Sequence, residues 1–507
     1  MPAYIKAYVW VMLLSLVALP FLKRVVTPDI ISTADFQRRA KLWLLITSVA
    51  FLSGNFWIYA VLCFIVTAIA SRSESNRLAL FVALIFAVPP MIRYIPGIGP
   101  FDYLLPLNHE HLLNYAILCP LAVTLFKSRH LRPRRSRTPD VLVGAYILYQ
   151  IACSAYQEPA QGTIRFAITL LTDIGVVYYV ASRSLTSLQA YREVIAAFVV
   201  GVGIVALVAL FETTKSWWVY DTLQVPFGFR GGGYHTRGNL NLLRAEASLG
   251  HPIVLGYALG VALMLAQAFT WLVASARLRI MLHGLLFLAL LVTFSRGPWV
   301  GAVAGMLYLT VSGPRNGRRI AYAIGTTALV VGGLALTPFG RSLYTMLPFV
   351  GTADSGSIVY RQLLWNASLS TLEQNPWFGD MHYLKNPLME SMRQGEGIID
   401  MVNTYLQIGL AYGLVGVGLF LCCAFACWRC IRIPRELDSA HANEFERLGR
   451  SLKAAQVVIL ATIATVSSVE LVPIIIWVTF GLCAGFAGLA LPADGNRPTS
   501  RVVPNTT

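Results

Sequence analysis

The chain alternates long apolar segments with short polar ones along almost its whole length. Segments such as Val194–Leu210 and Ile253–Val273 are apolar on every helical face, which is typical of helices that are not exposed to water. A helix needs roughly 20 apolar residues, with a range of about 17–25, to span a bilayer. By this rule the pattern predicts spans at residues 4–22, 41–70, 77–94, 111–126, 140–155, 163–182, 193–213, 251–273, 278–294, 297–313, 319–338, 403–428, 453–470 and 473–491.

Segment 41–70 is long for one helix and short for two. Ser53-Gly54-Asn55 is a possible tight turn inside it, because glycine and asparagine favour turns. The predicted fold class is therefore an all-α, polytopic transmembrane helix bundle of 14 or 15 spans, with 15 preferred.

Composition agrees with this interpretation, since 56% of the 507 residues are hydrophobic and only 13% are charged. Soluble chains carry about a quarter charged residues. A soluble enzyme, a coiled coil and a disordered scaffold are excluded. The formal net charge of +16 comes from short segments between apolar blocks, so it indicates membrane orientation and no nucleic-acid partner.

The basic segment Lys127–Arg137 predicts the cytoplasmic side, and counting alternately from it places four other basic segments there. The same count places three segments outside: 214–250, the corner Ser295–Gly297 and the long loop 339–402. The predicted organisation is a transmembrane bundle at 1–338 with the periplasmic loop 214–250, a large, partly helical periplasmic loop at 339–402, further spans at 403–492 and a cytoplasmic tail at 493–507.

Arginines on the predicted outer face are candidates for binding an anion. Arg230, Arg237 and Arg244 lie in loop 214–250, and glycines after Arg230 would let backbone amides approach a phosphate. The alternative is that translocation tolerates scattered arginines. Arg296 lies between two apolar blocks, where it either snorkels to the interface or offers a fixed fork of donors to phosphate.

Loop 339–402 combines carboxylates, arginines and aromatics with a predicted helix at Val359–Leu372. This composition suits a sugar-binding platform and equally a plug or vestibule.

Within the membrane, Asp173 lies mid-span, two turns after Arg165. A buried ionisable group is a functional hypothesis by default, and the alternative is a structural ion pair with a neighbouring helix.

Several motifs, in this order, resemble the O-antigen ligase/polymerase superfamily of bacterial cell envelopes over roughly residues 40–430. The matching pieces are Phe51-Leu-Ser-Gly-Asn-Phe-Trp57, Arg244 followed by His251-Pro252, Thr293–Gly301 (TFSRGPWVG), Arg361…Trp365…Asn375-Pro-Trp-Phe-Gly379, and Asn403-x-Tyr-Leu-Gln-Ile-Gly-Leu-Ala-Tyr-Gly413-Leu-Val-Gly416.

The resemblance implies a glycosyltransferase of the C type in the bacterial inner membrane, with its active face periplasmic. Such proteins take glycan from undecaprenyl pyrophosphate and transfer it to an acceptor hydroxyl, with no metal, nucleotide or other cofactor. By resemblance, Arg244 and Arg296 take the positions of the pyrophosphate-binding arginines, with Arg230 as a further candidate. The candidate glycan-binding residues are Arg361, Trp365, Trp377, Asn403 and Tyr405.

The chain departs from the ligases at one position, because Val402 stands where they carry a histidine before the helix-starting asparagine. The candidate general bases are then Asp400 first, Glu396 second and His382 as a spare. This departure favours a repeat-unit polymerase of O-antigen or exopolysaccharide. A ligase acting on a lipid A-core acceptor is the alternative, and a lipid-linked oligosaccharide flippase is the second. Polysaccharide export or chain-length proteins are possible partners.

Overall fold

The computed structural model describes residues 1–97, 99, 102–128, 137–229, 236–237, 242–313, 355–393, 399, 401–432 and 439–489. Helices dominate these residues, which confirms the all-α fold class. Among them, strands form two short antiparallel pairs, β1 (Arg93–Pro96) with β2 (Tyr103–Leu107) and β3 (Thr236–Arg237) with β4 (Leu242–Leu243). The predicted domain boundaries stay predictions, and span 319–338 and tail 493–507 lie outside the described residues.

Thirteen helices precede the undescribed residues 314–354 in the part of the chain that the structure describes, and the longest connections lie between α4 and α5 and between α10 and α11. These helices are α1 (Ala3–Val26), α2 (Thr33–Leu52), α3 (Phe56–Arg72), α4 (Arg77–Leu84), α5 (His109–Leu113), α6 (Cys119–Lys127), α7 (Thr138–Gln157), α8 (Ala160–Leu170), α9 (Val177–Arg183), α10 (Leu188–Lys215), α11 (Pro252–Ala266), α12 (Ala276–Val292) and α13 (Arg296–Val311). Single π-helical turns, Asn114–Leu118 and Leu171–Val176, join α5 to α6 and α8 to α9.

After the undescribed residues 314–354 the chain continues with helices again. They are α14 (Ser355–Gln374), the short α15 (Pro387–Glu390), α16 (Thr404–Cys430), α17 (Ser439–Ile463) and α18 (Val472–Phe486). The predicted helix at Val359–Leu372 is thus confirmed, and it belongs to the longer α14.

Four stretches are long and apolar enough, by length and composition, to cross a membrane. They are Ala3–Val26, Ala160–Arg183, Leu188–Lys215 and Thr404–Cys430. Three shorter apolar helices accompany them, at Phe56–Arg72, Pro252–Ala266 and Val472–Phe486. The chain is a multi-pass membrane protein.

The centre of the bundle consists of helices that are apolar on all sides. Most residues of helix α10 are apolar and buried, and nearly every residue of α11 is buried. Helix α10 packs against α1, α4, α11 and α12, whereas α11 contacts α13 and α17. A helix that is hydrophobic all round belongs in the interior.

Two segments decide points that the apolar pattern left open or misassigned. Ser53, Gly54 and Asn55 separate α2 from α3, so segment 41–70 is a helical hairpin as preferred. The predicted helix at 77–94 is wrong in its second half, because α4 ends at Leu84. Pro89 and Pro90 explain this, since proline lacks an amide donor and disfavours helix in the residue before it.

The boundaries of three other helices also differ from the prediction. Helix α17 begins at Ser439, fourteen residues before the predicted start at 453, and ends at Ile463. Its first turns are amphipathic and charged, and hydropathy alone assigns such turns to a loop. Helix α11 ends at Ala266, and α18 ends at Phe486.

Ion pairs join many helix ends at one end of the bundle, which we call the basic end. They are Arg38 with Asp35 and Glu74, Arg39 with Glu74 (2.6 Å) and Glu193 (2.5 Å), Arg183 with Asp140 (2.5 Å), and Arg192 with Glu444. These are helix ends that the alternation assigns to the cytoplasmic side, so the structure brings together the ends predicted to lie together.

The opposite end, which we call the site end, carries the ends of α7, α10 and α12 and the starts of α13, α16 and α18. Glycines of α13 fix the geometry there by letting α17 and the residues that follow it approach closely. A Cβ at Gly297 would lie 2.1 Å from Thr465 Oγ1, and one at Gly301 would lie 2.0 Å from Thr462 Oγ1. Small residues at such spacing are typical of helix contacts in membranes.

Candidate active site

The turn between α12 and α13 forms a compact corner at the site end. Phe294 has a positive φ of 46°, and Ser295 precedes Arg296, the first residue of α13. The indole N–H of Trp299 donates to Leu290 O at 2.9 Å, which ties the first turn of α13 to α12. Backbone N–H groups at such a helix start have no partner within the helix, so they favour an anion.

Arg244 lies directly against this corner, and we call Arg244 together with Thr293–Arg296 the arginine corner. Its Nε donates to Thr293 O at 3.3 Å and its Nη2 to Ser295 Oγ at 3.0 Å. The backbone is attached as well, since Ala245 N donates to Val292 O at 3.1 Å. The structure therefore brings together Arg244 and Arg296, two arginines that lie 52 positions apart in the chain.

The start of α16 forms the next wall of this site. Thr404 donates to Val466 O twice, from its backbone N at 2.9 Å and from its Oγ1 at 2.6 Å. Because Thr465 touches Gly297, the segment after α17 connects the start of α16 to the arginine corner. The structure does not describe three of the candidate residues: Asp400, Glu396 and Arg230. It does describe Met401 and Asn403, which follow Asp400 in the chain.

Two glutamates, Glu212 and Glu246, lie close together at the segment that follows Arg244. Glu212, in α10, accepts from the backbone N of Glu246 at 3.1 Å and of Ala247 at 2.8 Å. Burial raises the pKa of Glu246 to about 10, and repulsion from Glu212 adds to the shift. A carboxyl group with this pKa is protonated near neutral pH and does not neutralise Arg244.

Glu470 is a carboxylate that the sequence interpretation did not select. Its Oε1 would lie 3.5 Å from a Cβ at Gly250, so it adjoins the segment between Arg244 and α11. It has a positive φ of 52°, and desolvation by the surrounding protein raises its pKa to about 8. The signal in the sequence is a single acid at the end of the predicted span 453–470, just before the predicted span 473–491.

The candidate glycan-binding aromatics are exposed at the site end. Trp365 on α14 is 47% exposed and Trp377 is 63% exposed, and Arg361 lies one turn before Trp365 on the same exposed face. The opposite face of α14 holds the helix in place through Leu364, which is buried with Met389 in a small separate core. Rigid, accessible aromatic rings are what stacking on sugars requires.

Asn403 and Tyr405 make structural contacts. The side-chain oxygen of Asn403 caps α16 by accepting from the backbone N of Tyr405 at 2.8 Å and of Leu406 at 3.2 Å. The hydroxyl of Tyr405 donates to Leu460 O at 2.9 Å. Their direct contact with glycan stays a prediction, whereas their role in placing the start of α16 is visible.

His382 lies away from the arginine corner. Its Nε2 is 3.0 Å from Glu158 Oε1, just after α7, and its backbone N donates to Asp380 Oδ1 at 2.8 Å. These contacts hold the segment after α14 on the end of α7. As a catalytic base His382 stays a prediction, and the structure does not bring it to the arginines.

Asp173 pairs with a neighbouring helix, which is the structural alternative for this residue. Its Oδ1 lies 2.9 Å from His111 Nε2. Arg165 is not the partner, because it donates to Tyr103 O at 3.1 Å and stacks on the Tyr103 ring. In the part of the chain that the structure describes, no group of three or more His, Cys, Asp or Glu residues is placed to hold a metal ion.

Comparisons with known proteins agree with the motifs. Residues 280–421 match the family described as O-antigen ligase, and this range includes Arg296, α14 and Asn403. Over 132 residues the chain is 27% identical to a protein of Pseudomonas aeruginosa named O-antigen ligase. The aligned residues make up 26% of this chain and 29% of that protein. The chain thus matches less than a third of the length of this curated relative.

The helical bundle identifies a multi-pass membrane protein. The matched residues confirm its resemblance to the O-antigen ligase/polymerase superfamily.

Proposed function

We propose that this protein transfers glycan from an undecaprenyl-pyrophosphate carrier to an acceptor sugar hydroxyl, as a repeat-unit polymerase of O-antigen or exopolysaccharide. The observation that carries the proposal is the placement of Arg244 on the corner that starts α13 with Arg296. The active face is the periplasmic one, at the site end, in the bacterial inner membrane.

The charge of the leaving group explains why two arginines are needed. When the bond between the sugar and the pyrophosphate breaks, negative charge increases on the phosphate oxygens. Arginine guanidinium groups and the backbone amides of a helix N-terminus, held at fixed positions, stabilise this charge, because the protein does not have to rearrange during the reaction. Arg244 and Arg296 supply the guanidinium groups, and the first turn of α13 supplies the amides.

The transfer step is a displacement at the anomeric carbon. The acceptor hydroxyl oxygen forms a bond to this carbon, and the bond from the carbon to the phosphate oxygen breaks with its electron pair. Undecaprenyl pyrophosphate leaves as the anion, and the hydroxyl proton passes to a carboxylate base and then to water. Released carrier and lengthened glycan are the two products.

Two carboxylates compete for the role of base. Asp400 precedes Asn403 by three residues and lies two residues before Val402, the position where the ligases carry a histidine. Glu470 lies against the segment from Arg244 to α11, and its pKa of about 8 suits proton transfer near neutral pH. Glu396 and His382 remain secondary candidates. Matched carboxamide variants separate these possibilities.

Ligase is the second candidate function, because both comparisons carry that description. Val402 at the histidine position favours polymerase. Purified protein given lipid-linked repeat units would lengthen them if it is a polymerase, and would act only after a lipid A-core acceptor is added if it is a ligase. Unchanged glycan linkages with movement across the membrane would instead show a flippase and refute the proposal.

Cells that lack the protein provide the complementary test. Loss of a polymerase leaves single repeat units attached to the lipid carrier or to the final acceptor. Loss of a ligase leaves long polymer on the carrier that never reaches its anchor. Polysaccharide export or chain-length proteins are proposed partners, because they handle the same polymer.

A further inference from the structure

A cavity of about 440 Å³ opens beside the arginine corner. Ligand pockets usually measure about 300–1,000 Å³, so this volume is sufficient for a small ligand. Its walls come from α7, the π-helical turn after α8, α16 and α18, and residues 381–384 cover it. It reaches from the site end about three turns into the bundle, because Tyr146 lies eleven residues before the end of α7.

One residue belongs to both the cavity and the candidate active site. Thr404 lines the cavity, and its N and Oγ1 both donate to Val466 O beside the arginine corner. Ser468 and Gln407 extend this partition, since Ser468 N donates to Gln407 Oε1 at 3.0 Å and both residues line the cavity. Thr404 and the segment around Val466 therefore separate the cavity from the corner that carries Arg244 and Arg296.

The lining of the cavity combines aromatic rings with polar side chains. Tyr146, Tyr383 and Trp477 line the cavity, and the ring centroids of Tyr146 and Trp477 lie 5.7 Å apart. Aromatic rings of this kind have flat apolar faces. Such faces stack on the C–H faces of pyranose rings, while sugar hydroxyls need hydrogen-bond donors and acceptors around them. Gln150 and Asp173 supply polar groups of both kinds. An acyl or polyprenyl chain would leave those groups unpaired.

Gln150 is the most informative residue of the lining. Only 4% of it is exposed, and its Nε2 makes no well-formed hydrogen bond among the described residues, although the Tyr146 hydroxyl is close enough to interact with it. Buried polar groups are usually paired, so this amide is available to an acceptor that enters the cavity. A sugar oxygen in the cavity would provide that acceptor.

Asp173 provides a matching acceptor. The Nε2 atom of His111 lies 2.9 Å from Oδ1 of Asp173, and this hydrogen bond fixes the orientation of the carboxylate. The side chain of Asp173 is 27% exposed and lines the cavity, whereas that of His111 is 7% exposed and lies behind it. The second carboxylate oxygen can accept from a sugar hydroxyl.

We propose that this cavity binds the terminal sugar of the acceptor glycan, with Gln150 donating to a sugar oxygen and Asp173 accepting from a hydroxyl. The inference rests on the proposed function. It assigns the acceptor and not the donor, because the donor's pyrophosphate is attached to its first sugar at the arginine corner, on the other side of Thr404.

The test is a kinetic comparison in full-length purified protein. Gln150→Leu and Asp173→Asn are measured at varied acceptor oligosaccharide and at varied lipid-linked donor. We expect the KM for acceptor to rise about tenfold in each, as for loss of one good hydrogen bond to a ligand, while the KM for donor changes less than about twofold. Gln150→His, which keeps a donor, should recover part of the affinity.

A matched control is Gln189→Leu at the basic end. The amide of Gln189 donates to Ile30 O at 2.7 Å and is far from the cavity, so both KM values should stay unchanged. An increase in the KM for donor, or no change in the KM for acceptor, in Gln150→Leu would overturn the inference. Absence of any transfer by wild-type protein would instead count against the proposed function itself.

A second measurement does not depend on a folded Gln150 variant. Trp477 lines the cavity, so adding acceptor oligosaccharide to wild-type protein should change its fluorescence in a saturable way. Trp477→Phe should lose this component. A response that undecaprenyl pyrophosphate produces and acceptor oligosaccharide does not would show that the cavity holds the lipid carrier and would contradict the inference.

Discussion

Gly379 lies directly against the backbone of Gly413, where α16 is broken. A Cβ at Gly379 would lie 2.5 Å from Gly413 N, and a Cβ at Gly413 would lie 2.2 Å from the backbone of Trp377. The freed groups of the broken helix are paired by the inserted segment, because Asp380 N donates to Leu410 O at 2.7 Å and Leu414 N donates to Pro376 O at 2.8 Å.

This relationship explains two of the motifs together. Gly413 has φ 65° and ψ −172°, a region that is essentially restricted to glycine, and Gly379 has a φ of 67°. The Asn375–Gly379 motif supplies the inserted turn, and the motif that starts at Asn403 supplies the broken helix. Their joint effect is to hold Trp377 at the site end.

We expect Gly413→Ala and Gly379→Ala to destabilise the protein by about 1–3 kcal/mol or more, because each adds backbone strain and a steric clash. Gly418→Ala is the control, since a Cβ there meets nothing within 4 Å and alanine favours a helix. Thermal unfolding of the purified variants measures the difference. Equal melting temperatures for Gly413→Ala and Gly418→Ala would contradict the proposed packing.

We expect Arg244→Ala and Arg296→Ala to abolish polymer formation while expression persists. Loss of one donor to a developing anion lowers rates by about 10²–10³. The measurement is polymer yield in cells together with transfer by purified protein. Arg432→Ala, which removes an exposed arginine at the basic end, is the control and should keep wild-type yield. Wild-type yield in the first two variants would refute the pyrophosphate role.

We expect Asp400→Asn to lower transfer more than Asp354→Asn, an acid of the same large loop. Loss of a general base costs about 10²–10⁴ in rate. Glu470→Gln is measured in parallel as the competing candidate. Equal effects of Asp400→Asn and Asp354→Asn would remove Asp400 as the preferred base, and a loss confined to Glu470→Gln would assign the role to Glu470.

The glutamates predict how stability depends on pH. The pKa of Glu470 is about 8 and that of Glu246 about 10 in the folded protein, both above the ordinary value of 4.5. The folded state therefore binds more protons than the unfolded state above pH 4.5, so these groups make stability fall as pH rises. The contribution of Glu470 stops changing near pH 8, whereas that of Glu246 continues to about 10.

The corresponding variants separate the two groups. Glu470→Gln should reduce the fall in melting temperature mainly between pH 5 and 8 and have a smaller effect between pH 8 and 9. Glu246→Gln should reduce both changes. The same pH slope in wild type and Glu246→Gln would show that its carboxyl is not desolvated as the structure has it.

Much of the fold was predictable because transfer into a bilayer depends on local composition. Apolar length predicted most helices, and the turn at Ser53–Asn55 was recognisable from its residues. The same rule failed after Leu84, where prolines end the helix within an apolar segment, and at Ser439, where α17 begins in charged sequence. Hydropathy measures burial and not backbone conformation, so it misplaces helix ends of both kinds.

The candidate site was predictable only in part. Arg244 and Arg296 could be selected because positive charge on the predicted outer face is unusual and the motifs contain them. Glu470 was not selected, because one acid between two spans looks like any short polar connection. Gln150 carried no signal at all, since an amide within an apolar segment is informative only when its partners are known.

By itself the sequence determined a multi-pass helical membrane protein, the approximate position of most helices and the residues with unusual charge. Each of these follows from the free energy of placing short stretches of chain in lipid or in water. The tertiary structure alone decided that Arg244 meets Ser295, that Gly379 inserts beside Gly413 and that Asp173 pairs with His111. Those contacts join residues 34 to 62 positions apart, and only the packing of helices against one another brings them within hydrogen-bonding or van der Waals distance.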